Sequence, residues 1–241
     1  MIKNGGQYRA GVIAARVLLV GLLILTKAPL AQAYRNPNPG VFPPNSKPYG
    51  KSYGEWGAKF GQWGLGLPIE GHPFLGCPEP VDGGQSGPVW FLAAGPAECS
   101  ITVPVGKALF FPLANADCSS LEDPPFHGDT AAQQRTCAKY WADHIVKSSL
   151  FCEIDGVPIG NLPSYRAVSP QFEFTAPTPW VFGAVGGQGT AVVDGYYLFL
   201  SPLSRGDHII HFGGAFHFSV AEGDEFDADF GYDTTHNLTV R

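Results

Sequence analysis

Glycine and proline interrupt this chain so often, 31 and 22 times in 241 residues, that few long regular elements can form. Glycine weakens helix and strand interiors, and proline removes a backbone donor. One stretch free of both, Asp129 to Leu150, reads as a helix with Cys137, Trp141, Ile145 and Ser148 on one face. Elsewhere, from Gly87 onward, short apolar runs lie between turns. GPVWFLAAG is one; CSITV and ALFFPLA, around Pro104 to Lys107, read as a hairpin; LFCEIDGVPIG reads as another around Asp155-Gly156. SYRAV, QFEFT, AVVDGYYLFL, HIIHFGG, AFHFSV and YDTTHNLTV continue the series. The pattern predicts a mainly β fold, an antiparallel β-sandwich with two peripheral α-helices.

The first of those helices is expected in SYGEWGAKFGQWGLGLP, Ser52 to Pro68. Ser52 and Glu55 fit a capping box, and Tyr53, Trp56, Phe60, Trp63 and Leu67 fall on one stripe at 100° per residue. Gly54, Gly57, Gly61 and Gly64 lie beside that stripe. Four glycines cost roughly 3 to 4 kcal/mol of helix propensity, so the helix needs a docking surface. Packing the aromatic stripe on the body of the domain supplies it, with an exposed aromatic platform as the alternative.

Residues 1–33 read as a secretory signal peptide: Lys3, Arg9 and Arg16, then VLLVGLLIL, then a small-residue ending at Ala33. The apolar run is about half of what a spanning helix needs. Proline-rich 34–50 is expected to be an extended arm, and 51–241 one domain. Loss of Lys3, Arg9, Arg16 and Lys27 with the leader takes the net charge from −6 to −10, which disfavours nucleic acid as a partner. A secreted or periplasmic location is oxidising, so the five cysteines should form disulfides. Pairing by proximity gives Cys77 with Cys99 and Cys118 with Cys137, leaving Cys152 as a buried free thiol. Zinc ligation lacks a C-x-x-C pair.

The strings GQSGPVWFLA, VPVGKALFFP, EIDGVPI and PLSRGDHIIHFGG resemble a family of uncharacterised exported bacterial proteins. That resemblance covers most of the chain after the leader and implies a secreted domain, with no activity attached. The second half has the hairpin rhythm of immunoglobulin-like or jelly-roll-like sandwiches. GGQSGP is similar to the Gly-Asp-Ser-Gly signature of trypsin-like proteases, but Gln85 stands where that signature has Asp, so Ser86 reads as a turn residue.

Two metal readings arise. If Gly213-Gly214 is a hairpin turn, His208 and His217 share a face and, with a carboxylate, could hold a transition metal. The acidic 222–233 segment, with Asp224, Asp227, Asp229 and Asp233, offers calcium an oxygen-rich loop, although its spacing departs from an EF-hand. Glu153, Asp155, Glu173 and Asp194 could supply a glycosidase pair. Trp90, Trp141 and Trp180 are candidate ligand-binding aromatics, for carbohydrate above all. The sequon Asn237-Leu238-Thr239 reads as a chance match in a strand. The leading expectation is thus a non-enzymatic envelope or extracellular module binding a ligand or protein partner. A secreted hydrolase and a metal-binding protein are the alternatives.

Overall fold

A computed structural model describes residue 38 and residues 40–95 and 98–241. The expected leader, 1–33, lies outside them. The described part of the proline-rich segment does not hang free. Phe42 donates its N–H to Phe199 O (2.8 Å), Gly40 O accepts from Ser201 N (2.8 Å), and Val41 and Pro48 are buried.

Helix α1, Tyr53–Leu65, starts at the capping box: Glu55 N donates to Ser52 Oγ (3.3 Å), and Ser52 N donates to Glu55 Oε2 (2.8 Å). Its Tyr53, Trp56, Phe60 and Trp63 are buried. The glycines are there for close approach. A methyl at Gly54 would overlap the Val168 carbonyl, at Gly61 the Phe172 ring, and at Gly64 the Phe74 ring. His72 closes the helix end. It is buried, its Nδ1 accepts from Phe74 N (3.1 Å), and its Nε2 therefore donates to Gly64 O (3.0 Å).

Among the described residues, ten strands form two five-stranded sheets. In the first, β1 (Val89–Phe91), β3 (Ala108–Ser119), β8 (Gly187–Leu200) and β6 (Arg166–Val168) lie in that order, and β7 (Phe172–Ala176) also pairs with β8. In the second the order is β2 (Glu98–Val103), β10 (Ala228–Val240), β9 (Gly206–Phe218), β4 (Phe151–Ile154) and β5 (Val157–Pro158). The expectation of purely antiparallel sheets is corrected. β1 joins β3, and β2 joins β10, in parallel. The cause is that β2 and β3 are not a hairpin: β2 crosses to the second sheet and the chain returns as β3 beside β1.

Strands β3 and β8 read as nearly continuous apolar runs because both faces of their sheet are covered. Phe110 packs toward α1, with ring centroids 6.4 Å from Phe60, whereas the next residue, Phe111, meets Phe212 of the second sheet at 4.6 Å. Helix α2, Ala131–Asp143, packs on β3 and β8. It ends earlier than its Gly- and Pro-free run. Ile145 leaves the helix to bridge to Phe216 of β9. The β4–β5 hairpin turns through Asp155 (φ 51°) and Gly156 (φ 76°), both left-handed as a two-residue turn of this kind requires. Disulfides join Cys77 to Cys99 (2.10 Å) and Cys118 to Cys137 (1.89 Å), and Cys152 is free and buried.

Candidate functional site

The end of β3 carries an anomaly: Asp117 follows nine strand residues of which all but Asn115 are buried. Beyond it the chain folds tightly back on the strand end. Ser119 Oγ accepts from the N–H groups of Leu121 (3.3 Å) and Glu122 (3.1 Å), Ser119 N donates to Phe126 O (3.1 Å), and Gly128 N donates to Ser119 O (2.9 Å). This loop turns Glu122 inward and lays Phe126 on Trp141 of α2, with ring centroids 4.4 Å apart and nearly parallel. The Cys118–Cys137 bridge fixes the same two elements, one residue after Asp117 and one helical turn before Trp141.

Opposite stand β9 and β10. Phe216 stacks on Phe230 at 4.9 Å, and Trp141 meets Phe218 at 5.1 Å. Between these walls is a cleft of about 440 Å³ lined by Asp117, Glu122, Asp123, Phe126, Trp141, Phe182, Phe216, Phe230 and Tyr232, together with Asn115, Ala116, Pro124 and Pro125. Glu122 is buried, while Asp117 keeps part of its surface exposed. Nevertheless Asp117 Oδ2 and Glu122 Oε2 are both shielded from solvent and have no hydrogen-bond partner among the described residues.

Burial pushes the Asp117 carboxyl well above the usual range. Burial raises Glu122 as well, and the Asp117 charge adds to it. The two acids therefore hold at least one proton at neutral pH. Tyr232 is raised by burial and by Asp117 too.

The sign of the resulting pH dependence is fixed. Well below the ordinary carboxylate values of 3.8 and 4.5, both acids are neutral in the folded and the unfolded chain. Above that range the unfolded chain releases protons that the folded chain keeps, so these groups make stability fall as pH rises toward their raised folded values. Glu122→Gln removes one of them. The variant is expected to melt roughly 3–8 °C above the native protein at pH 8 and to lose most of that advantage at pH 5. Thermal denaturation at the two pH values measures it; an equal difference at both would mean that Glu122 does not titrate abnormally.

The residues expected from sequence lie elsewhere. Gly213 and Gly214 are not a turn, because β9 runs unbroken from Gly206 to Phe218. His208 and His217 therefore lie near opposite ends of one strand, roughly 30 Å apart at the usual rise per residue. Each has its own acid: His208 Nδ1 meets Asp155 Oδ2 (2.8 Å), and His217 Nδ1 meets Asp229 Oδ1 (2.7 Å). Asp233 meets His211 (2.7 Å), Asp224 accepts from Ser219 N (2.7 Å) and contacts His144 (2.8 Å), and Asp227 accepts from Val220 N (2.9 Å). No cluster of three or more His, Cys, Asp or Glu placed to hold a metal ion occurs among the described residues. Both metal readings, calcium and transition metal, are corrected on this point: the carboxylates pair off singly instead of converging.

The three candidate ligand-binding tryptophans do not share one site. Trp90, Trp141 and Trp180 are all buried, and of the three only Trp141 lines the cleft. Of the four acids considered for glycoside hydrolysis, Asp194 is held by Arg166 through two bonds (3.0 and 2.9 Å) and Asp155 by His208, while Glu153 and Glu173 stand on different sheets. Gln85, in place of the protease Asp, clamps the Phe91 backbone through both ends of its amide (2.8 and 2.9 Å), and Ser86 is exposed beside it. Burial pushes the Cys152 thiol up, so it is unreactive. The sequon lies inside β10, with Asn237 Nδ2 donating to Glu98 Oε1 (2.7 Å).

Two further places have the makings of a site and fail on geometry. Ser204 Oγ, His208 Nε2 and Asp155 line up like a triad at 3.3 and 2.8 Å, but His208 Nε2 is closer to the Ser204 carbonyl (3.0 Å). Burial opposes the charge on His208, yet Asp155 and that carbonyl leave its pKa raised; the imidazole is a clamp between two turns, not a base. A polar groove of about 550 Å³ along Gln62, Glu173 and Gln188 holds none of the buried unpaired atoms, and Gln62 Nε2 already donates to Glu173 O (2.9 Å).

No family model matches the chain, and no curated protein matches it. Among solved structures, the solution structure of amebosin aligns with 64% of this chain and all of its own at 10% identity, with a TM-score of 0.21. A likeness that small carries neither fold nor function across.

Proposed function

We propose that this is an exported protein that binds a small ligand in the aromatic cleft at the end of β3, without catalysing a reaction. The observation that carries this reading is the pair of carboxyl oxygens, Asp117 Oδ2 and Glu122 Oε2, buried without partners against a cavity walled by aromatic rings. Leaving such atoms unpaired costs stability, and a ligand that reaches them restores the missing interactions. The two sheets are read as the layers of a β-sandwich on the strength of Phe111 against Phe212 and the close approach of Gly214 to Ala114. Export is supported by the leader-like 1–33, by the resemblance to exported bacterial proteins and by two disulfides, which suit an oxidising compartment. No helix among the described residues is long and apolar enough to cross a membrane.

Adding a fragment library to the protein while recording ¹H–¹⁵N spectra tests the site. Fragments are expected to shift the Trp141 indole N–H and the amides of Ala116, Phe230 and Tyr232 before those of any other region. Hits gathered at Gln62 and Gln188 instead would move the site to the polar groove.

A hydrolase is the second reading, favoured by the same pair: a carboxyl that keeps its proton at neutral pH beside another carboxyl is equipped for general acid chemistry. Turnover of nitrophenyl glycosides that disappears in both Asp117→Asn and Glu122→Gln would put catalysis ahead of binding.

A further inference from the structure

The cleft has a one-sided charge inventory. Asp117, Glu122 and Asp123 line it, and none of its lining residues is Lys, Arg or His. An anionic ligand would meet only like charge there. Arg166, which bonds Asp194 beyond the cleft, is already held by both Asp143 (2.7 Å) and Asp194 (2.9 Å), so it cannot serve as counter-charge.

The choice between a neutral and a cationic ligand turns on the two unpartnered oxygens. Glu122 is only 8% exposed and its Oε2 is solvent-shielded without a hydrogen-bond partner among the described residues; Ser119 beside the carboxyl offsets only part of what burial does to it. Asp117 Oδ2 is in the same condition, and the two acids are near enough for the charge of one to act on the other. A neutral hydroxyl group can satisfy one acceptor but supplies no counter-charge, so the acids would keep the proton that burial makes them hold. A positive charge set between them answers both at once, and it does so in a site where low polarity strengthens the attraction. The remaining walls suit the same guest. Trp141, Phe216, Phe230 and Tyr232 line the cleft with aromatic rings, and an aromatic ring attracts an ammonium group through its quadrupole while packing against an apolar body. The volume, about 440 Å³, lies within the range of small-molecule sites.

We infer that the cleft takes an organic cation, a small ammonium compound whose charged nitrogen lies between Asp117 and Glu122 and whose apolar body packs among Trp141, Phe216, Phe230 and Tyr232. This rests on the binding reading above and adds the chemical class of the ligand. Asp117 and Glu122 supply the charge contacts, and Asp123 at the rim adds long-range attraction.

Isothermal titration of the full protein with matched probes tests the inference. Phenethylamine, tryptamine and benzyltrimethylammonium are the cations; phenethyl alcohol is the neutral match, 3-phenylpropionate the anionic one, and methyl glucoside the hydroxylated control. At least one ammonium probe is expected to bind roughly tenfold or more tightly than the alcohol, with no binding of the carboxylate. In Glu122→Gln, which the pH argument above expects to be more stable than the native protein, cation affinity is expected to fall roughly tenfold while the alcohol is unaffected. Asp117→Asn gives an independent second variant with the same expected pattern. If the alcohol or the glucoside binds as tightly as the ammonium probes, and Glu122→Gln changes nothing, the ligand class is wrong and the binding site stands. If none of the probes binds at about 10 mM, the cation assignment fails. If the fragment screen also finds nothing in the cleft, the binding reading fails with it.

Discussion

Cys118→Ala together with Cys137→Ala is expected to lower the unfolding free energy by about 3 kcal/mol, and the melting midpoint by roughly 6–12 °C. The bridge closes a loop with a sequence separation of 19 residues, and a chain-entropy account gives about that value for a loop of this length. The effect should reach the cleft as well. Cys118 follows Asp117 directly, and Cys137 precedes Trp141 by one turn of α2, so the bridge holds one acid and one aromatic wall in register. Removing Cys77–Cys99, with a separation of 22, is expected to cost a similar amount of stability while leaving ligand affinity unchanged, because neither cysteine adjoins a cleft residue along the chain as Cys118 adjoins Asp117. Chemical denaturation of the two double variants, followed by titration with whichever probe binds the native protein, separates the contributions. Midpoints unchanged on removal of the bridges would mean that the unfolded chain is already constrained.

Gly213→Ala is expected to destabilise the protein by about 3 kcal/mol or more, near the upper end for overpacked sites. Gly213 sits in mid-strand, opposite Asp233 of β10 and Phe151 of β4. A methyl group there would overlap the Tyr232 carbonyl oxygen and press on the Phe151 ring (2.8 Å). Backbone cannot move aside as a flexible side chain can, so the ribbon itself would have to shift. Gly76→Ala is the control. Nothing lies within 4 Å of the position and its backbone is not left-handed, so a change within about 0.5 kcal/mol is expected. Equal midpoints for the two variants would show that the β9–β10 ribbon yields without cost.

These glycines also show where sequence reading stops. In α1 the capping box and the aromatic stripe agree, and both glycine spacing and docking follow from the helical period. In β9 the pair Gly213-Gly214 is ambiguous, because glycine serves a turn by its left-handed freedom and a packed strand by its missing side chain. Only the neighbours decide, and Tyr232 and Leu150 are distant in sequence. That single ambiguity produced both the expected hairpin and the expected His208–His217 pair. The Asp155-Gly156 turn was legible because its flanking strands, β4 and β5, are adjacent in the chain.

The cleft was hidden for a different reason. Asp117 reads as one polar residue near the end of ALFFPLANADCS, and Glu122 as part of a turn-like SSLEDPP. Neither spacing forms a recognised motif. Their meaning arises from burial, which depends on Trp141, Phe216 and Phe230 arriving from three later elements. One signal was present: a strand apolar for most of its length that ends in an acid, next to a cysteine able to anchor it. The indoles misled in the opposite direction. In a chain with this much aromatic content tryptophan fills the interior first, and Trp90 and Trp180 do only that.

The placement of β10 governs the order in which the fold can be completed. It lies between β2 and β9, and its pairing with β2 brings Glu98 beside Thr235. Any process that delivers the polypeptide from its N-terminal end presents β2 long before the strand it must join, and closing so long a loop is slow. The second sheet therefore stays open until residues 228–240 arrive, exposing the edge of β2 to wrong partners in the interval. A chain shortened before Ala228 would lack an interior strand of that sheet instead of its margin, and β2 would be left without the strand it joins.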